Sequence, residues 1–265
     1  MVTFTVLLPV HRPPALLPFA IESVLAQGRQ DFELMVICDG APQATVDRAR
    51  ETAARDRRIQ VHAHSKGERN GEAYRHQALE KARGAYVCHI ADDDLWFPNH
   101  LQEIELLLRE FEWGNLAEVH VRPSGELYIA AGDLARPRLQ QAMRTQEFNF
   151  FGPSAAGYRL STYRRLPVGW SPAPREERWS DLYMWRKFLA LPGIACGSRV
   201  AITGVHFPTS TRRDWTLEKR AAEMRGWAER LKDPAQRDRI AQELLRRLMM
   251  AEVRRRAQAA SEQRA

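Results

Sequence analysis

Within the first ninety residues, four short apolar runs rich in β-branched side chains alternate with three stretches of helical character. Residues 3–9, 32–38, 59–64 and 85–90 read as strands. Residues 16–26 carry Leu16, Leu17, Ala20, Ile21, Val24 and Leu25 at helical spacing; residues 43–55 read as a polar helix and 71–82 as a third. Gly28 and Gly84 stand where the first and third of these helices end. Connections this long return each strand parallel to the last by right-handed crossovers, so the expected fold is α/β, a mainly parallel sheet flanked by helices. Ligands of such sheets bind beyond the carboxyl ends of the strands. Asp39 and the triplet Asp92-Asp93-Asp94 both fall at such ends, which puts acidic groups on one rim.

The second half is less regular. Residues 98–110 read as a helix with Pro98 in its first turn, and residues 116–121 and 126–130 as two strands around a turn at 123–125. Residues 148–170, rich in aromatics, glycine and proline, read as loop with short elements. Residues 179–191 form a helix bearing Asp181, residues 200–204 a last short strand, and residues 206–215 a polar loop. From Thr216 the pattern is helical and charged, broken at Asp233-Pro234.

Composition narrows the classes. No apolar run approaches the roughly 18 residues of a membrane span, and the amino-terminal stretch has neither a basic leader nor a small-residue cleavage site. A cytoplasmic protein is expected, with the inner face of the membrane as its one alternative station. Cys38, Cys88 and Cys196 are too few and too apolar in setting for a disulfide framework. The net charge of +7 admits nucleic acid, anionic lipid or phosphorylated small molecules as partners. Its excess gathers in the tail, at Arg246-Arg247 and Arg254-Arg255-Arg256, among acidic residues and the apolar Leu231, Ile240, Leu244, Leu248 and Met249. That mixture is the pattern of a solvated or self-associating helix, leaving a homodimer and a peripheral membrane contact open. No zinc-finger or RNA-recognition signature accompanies it, so no specific nucleic acid is expected.

Three adjacent carboxylates repel one another, and a fold tolerates them where a cation or solvent disperses their charge. Directly after a buried strand, such a triplet fits a divalent metal holding a diphosphate. Here the chain resembles the family 2 glycosyltransferases of GT-A fold. The resemblance is carried by Leu7-Leu8-Pro9-Val10-His11, by residues 32–40, by Arg83-Gly84-Ala85-Tyr86-Val87 and by residues 92–101. Looser matches follow at Gly152-Pro153-Ser154 and at residues 179–186.

The resemblance implies a nucleotide-diphosphate sugar donor, a saccharide or lipid-linked acceptor, Mn2+ or Mg2+, and inversion at the anomeric carbon. It divides the chain into a GT-A domain over residues 1–215, with a nucleotide-binding half (1–100) and an acceptor-binding half (101–215), and a helical extension over residues 216–265. It implies that Asp39 hydrogen-bonds the base, which suits uridine or thymidine, and that Pro9 and His11 line the base and ribose pocket. Arg75 falls where the family commonly has Arg-Asn, though here His76 follows it. Asp92 and Asp94 satisfy an Asp-x-Asp spacing; counted back from Leu95-Trp96, however, the family's metal ligand falls on Asp93 and its preceding acid on Ala91. The reading therefore gives Asp93 and Asp94 to the metal and Asp92 to ribose or diphosphate. Asp181 matches the family's general base, with Glu176 and Glu177 as neighbouring substitutes. His206 lies where relatives have a flexible loop closing over the donor and is a further metal ligand, with Arg212 or Arg213 placed to neutralise the leaving diphosphate.

Two other classes compete. One is an anionic-surface or nucleic-acid binding protein using the basic tail. The other is a sugar nucleotidyltransferase, which the absence of glycine after the first strand, in His11-Arg12-Pro13-Pro14, counts against.

Overall fold

The computed structural model describes residues 2–262; positions 263–265 of the expected extension lie outside the described residues. β1 (Phe4–Val10), β2 (Phe32–Asp39), β3 (Ile59–His64) and β4 (Tyr86–His89) pair in the order β3-β2-β1-β4, all parallel. α1 (Leu17–Leu25), α2 (Gln43–Ala53) and α3 (Glu72–Glu80) connect them. The winding reverses between β1 and β4, because the chain adds strands outward to β3 and then crosses to the other side of β1. That reversal opens a crevice at the carboxyl ends of the strands, where Pro9 and Asp39 stand.

The second half completes the sheet with β5 (Asp94–Trp96), α4 (His100–Glu110), β6 (Trp113–Val121), β7 (Leu127–Ala130), α5 (Pro137–Thr145), β8 (Ala156–Arg159), α6 (Leu160–Tyr163), α7 (Ser180–Leu189), β9 (Cys196–Ile202) and β10 (Gly204–His206). β8 runs antiparallel between β4 and β6 and so welds the two halves. β6 pairs with β8 and β9 through its first residues and with β7 and β10 through its last. β10 also pairs antiparallel with β5, and this register sets His206 opposite Asp94.

The period-two alternation of β1 explains the layers. Phe4, Val6, Leu8 and Val10 face α1, α2 and α4, whereas Leu7 joins α3, α7 and a group of buried aromatics on the other face. Trp170 and Trp185 belong to that second core, with Trp179 packed at its edge. A third core forms where α8 (Leu217–Lys232) and α9 (Pro234–Glu262) lay Met224, Trp227, Leu231, Ile240 and Leu244 against Leu95, Val205 and Phe207. No helix of the described residues is long and apolar enough to cross a membrane.

Three local readings change. Asp94–Trp96 forms a strand that the sequence reading did not assign. The helix Pro137–Thr145 was not assigned from the sequence; Met143 is its one buried residue. The expected strand at 200–204 is two strands, Cys196–Ile202 and Gly204–His206, so His206 ends a strand instead of opening a loop. Gly204–His206 is too short for a period to show; it forms because Val205 is buried and pairs with Leu95.

Candidate active site

The crevice at the strand reversal contains a cavity of about 290 Å³ whose wall includes Pro9, Arg75, Asp93, Asp94, Glu118 and His206. The acidic triplet on its rim is buried, and each member is treated differently.

Asp94 begins β5. Its Oδ2 accepts from Ser154 Oγ at 2.7 Å and lies 2.9 Å from His206 Nδ1, while its Oδ1 accepts from the Phe207 N–H at 3.2 Å. Burial opposes a charged His206, but Asp94 and Glu118 outweigh it and raise the imidazole pKa to about 9. Glu118, on β6, takes the Gly152 N–H on Oε2 and sits 2.7 Å from His120 Nε2 through Oε1.

Asp93 Oδ2 accepts from Arg12 Nη1 at 2.8 Å, Thr209 Oγ1 at 2.9 Å and Arg220 Nη2 at 2.5 Å. Burial works against this carboxylate; the two guanidiniums and the hydroxyl prevail and hold its pKa below the ordinary value. Asp92 has Arg12 Nε 3.2 Å from its Oδ2, yet that buried oxygen makes no hydrogen bond. Burial dominates there and raises its pKa, with Arg12 opposing and the neighbouring aspartates adding to the rise.

At the end of β2, Asp39 accepts from Lys66 Nζ on Oδ2 and from the Gly67 N–H on Oδ1, both at 2.6 Å. One lone pair on each oxygen is left by these bonds. Gly71 is required beside it: at φ +67° its backbone is left-handed, and a Cβ there would stand 2.6 Å from Asp39 Cγ. His11, just after β1, is exposed. Arg75 is buried rather than solvated; it stacks 4.8 Å over Trp170, donates to the Asn70 carbonyl at 3.0 Å, and leaves Nε without a hydrogen bond.

Asp181 sits in the first turn of α7, where an acid is favoured by the helix dipole. Asn149 Nδ2 donates to its Oδ2 at 2.9 Å. Burial is the largest influence and, with Glu118 nearby, raises its pKa to about 6 against the pull of the Leu182 N–H. Asp181 is not in the cavity wall itself. The loop beside Asp39 is tied to α7 and the segment before it all the same, since Arg69 Nη2 donates to the Glu177 carbonyl at 2.6 Å and Asn70 Nδ2 reaches Ser180 Oγ at 3.3 Å. Arg69 makes that reach from a positive φ of 53°, an unfavourable conformation for a side chain of its size. Glu177 is ion-paired to Arg186, and Glu176 is exposed.

Two arginines exchange places relative to expectation. Arg212 is buried away from the rim, bonded to Glu223 and the Val121 carbonyl and flanked by Phe207 and Trp215, so it cannot meet a leaving diphosphate; Arg213 is exposed. Arg220, which no local signal distinguishes from the other basic residues of its helix, is the one that reaches the triplet. Arg12, Glu118 and Thr209 were likewise given no role, and Ser154 was named only within the looser match at residues 152–154.

Comparisons with known proteins bear on this geometry. The profile described as glycosyl transferase family 2 matches residues 5–166. An uncharacterized glycosyltransferase of Rickettsia bellii is 34% identical over 116 residues, covering 44% of this chain and 16% of the relative. The chain spans less than a fifth of the length of the first three curated relatives. Among solved structures, residues 1–349 of S. aureus TarS in complex with UDP-GlcNAc superpose with TM-score 0.59 at 15% identity, over 78% of this chain and 58% of that one. A mannosyltransferase from Pyrobaculum calidifontis, in complex with GDP-Man and Mn2+, gives TM-score 0.54 at 18% identity over 77% of this chain and 56% of its own. At these identities the structural likeness speaks for the fold alone.

Proposed function

We infer the reaction from the premise that the matched profile supplies: the chain belongs to glycosyl transferase family 2. The proposed reaction moves a sugar from a nucleoside-diphosphate donor to a hydroxyl of a saccharide or lipid-linked acceptor, with inversion and with Asp181 as general base. The observation that carries it is the raised pKa of Asp181, about 6, at a helix start tied to the loop that surrounds Asp39. A carboxylate with that affinity for protons is ionised at neutral pH yet accepts a proton more readily than an exposed aspartate.

Each residue then has a task. Asp39 accepts the N–H of a uracil or thymine base on a free lone pair, while Pro9 and His11 border the base and ribose. Arg75, with its unpartnered Nε, donates to the diphosphate. The acceptor hydroxyl loses its proton to Asp181 as its oxygen attacks the anomeric carbon from the face opposite the nucleotide. The bond to the diphosphate oxygen breaks, and the diphosphate leaves with the electron pair.

The rim fits a divalent cation. Asp93 keeps Oδ1 unengaged among the described residues, whereas His206 Nδ1 and Asp94 Oδ2 are hydrogen-bonded to each other at 2.9 Å, so His206 would have to give up its proton before its ring nitrogen could ligate. No three acidic, histidine or cysteine side chains converge as a ready-made cage among the described residues. Mn2+ or Mg2+ would have to complete its shell with phosphate oxygens and water. When bound, the ion would neutralise charge on the diphosphate.

A thermal-shift panel of UDP, dTDP, GDP and ADP, each with and without Mn2+, tests the donor side. Stabilisation by UDP or dTDP that requires the metal is expected; indifference to all four nucleotides would sink the reading.

A further inference from the structure

The helix beyond the loop after β10 reaches back into the donor rim. Arg220, on the first turn of α8, is buried, and its Nη2 donates to Asp93 Oδ2 at 2.5 Å and lies 3.3 Å from Thr209 Oγ1. Thr209 and Arg12 donate to the same oxygen. Oδ2 thus holds three donors, each far from Asp93 in sequence, while Oδ1 holds none among the described residues, although Asp93 is part of the cavity wall.

Packing alone does not explain Arg220. Burying a guanidinium carries a desolvation cost that an apolar residue would avoid, and it is offset only where a buried anion receives it. Asp93 is that anion, its Oδ2 within hydrogen-bond distance of Arg12, Thr209 and Arg220. The neighbouring turns of α8 hold the arginine in place, since Met224, Trp227 and Leu231 sit in the core that contains Val205 and Phe207.

We propose that Arg220 is a donor-positioning residue that acts through Asp93, so that the carboxy-terminal helix α8 is a working part of the donor site. By saturating Oδ2 together with Arg12 and Thr209, it fixes the carboxylate and leaves Oδ1 facing the diphosphate and its cation. The same contacts bind the Thr209 turn to the rim, so α8, the 209–211 turn and Asp93 hold one another in register. This proposal rests on the reading of the cavity as the donor site.

The test uses the full chain and Mn2+ with UDP as probe, measuring the dissociation constant by calorimetry alongside the melting temperature of the ligand-free protein. Arg220→Ala is expected to weaken UDP binding about tenfold, the scale of one lost charge-assisted hydrogen bond. Arg220→Lys should recover part of the loss. In an Asp93→Ala background, Arg220→Ala should cost little more. Where donor turnover is followed, KM for the donor should rise with kcat nearly unchanged. A lowered melting temperature with unaltered UDP affinity would reduce Arg220 to a structural residue and overturn the proposal. So would a full tenfold loss in the Asp93→Ala background, because the arginine would then act independently of that carboxylate. Should Arg220→Ala fail to fold, Arg220→Gln carries the same expectation and the same refutation. Failure of the wild type to bind any of the four nucleotides is a separate result, which removes the donor reading itself.

Discussion

Asp93 and Asp181 are both largely shielded aspartates near one crevice, and their surroundings push them in opposite directions. Asp93 is met by two guanidiniums and a hydroxyl, which keep it ionised below the ordinary aspartate range. Asp181 is met by one amide and the helix N–H groups, with Glu118 nearby, and is raised to about 6. The first is suited to be a fixed charge that binds, the second to exchange a proton. Pairs of like groups whose environments drive their pKa values apart are how one site separates binding from proton transfer. Four measurements break or sharpen the contrast.

The largest effect is expected at the proposed base. Asp181→Asn should lower kcat by about 10²–10⁴-fold while UDP affinity stays within about twofold, as read by donor turnover and calorimetry. Loss of both together would mean that Asp181 shapes the donor pocket instead. Asp94→Ala removes the partner of His206, Ser154 and the Phe207 N–H. It should weaken Mn2+-dependent UDP binding by about 10–100-fold, whereas unchanged metal dependence would place the cation elsewhere.

A smaller effect appears in the pH profile. If Asp181 must be ionised, kcat/KM should fall about tenfold per pH unit below about 6, and a profile flat down to pH 5 would remove the raised base. The smallest effect is on stability. The folded pKa of Asp181, about 6, lies above its ordinary 3.8, so the native state binds the extra proton between those values. Wild-type stability therefore declines relative to Asp181→Asn as pH rises from about 4 to about 6, by on the order of 1–3 kcal/mol. Melting curves of the two proteins at pH 4 and pH 8 measure it, and an equal difference at both would show that the carboxyl carries no such burial cost.

Much of the donor side was legible because its signals are local. Asp39 ends an apolar run, the triplet follows another, and strand ends are where such sheets bind ligands. Asp181 was legible only through resemblance to a family segment; its spacing alone marks it as an ordinary acid in a first helical turn. Arg212 and Arg220 show where reading along the chain stops. Arg212 or Arg213 was expected at the diphosphate from its place in the loop after His206, yet Phe207, Trp215 and Glu223 enclose Arg212.

The sequence by itself determined the alternation of strands and helices, the parallel first half, and the acidic residues at its carboxyl edge. Periodicity and chain handedness act over a few residues, so they can be read without coordinates. The tertiary structure alone decided which carboxylate is compensated and which is left wanting a proton. That outcome depends on Arg12, Glu118, His206 and Arg220 arriving from separate elements. Electrostatic strength is set by distance and burial in space, and separation along the chain carries almost no information about either.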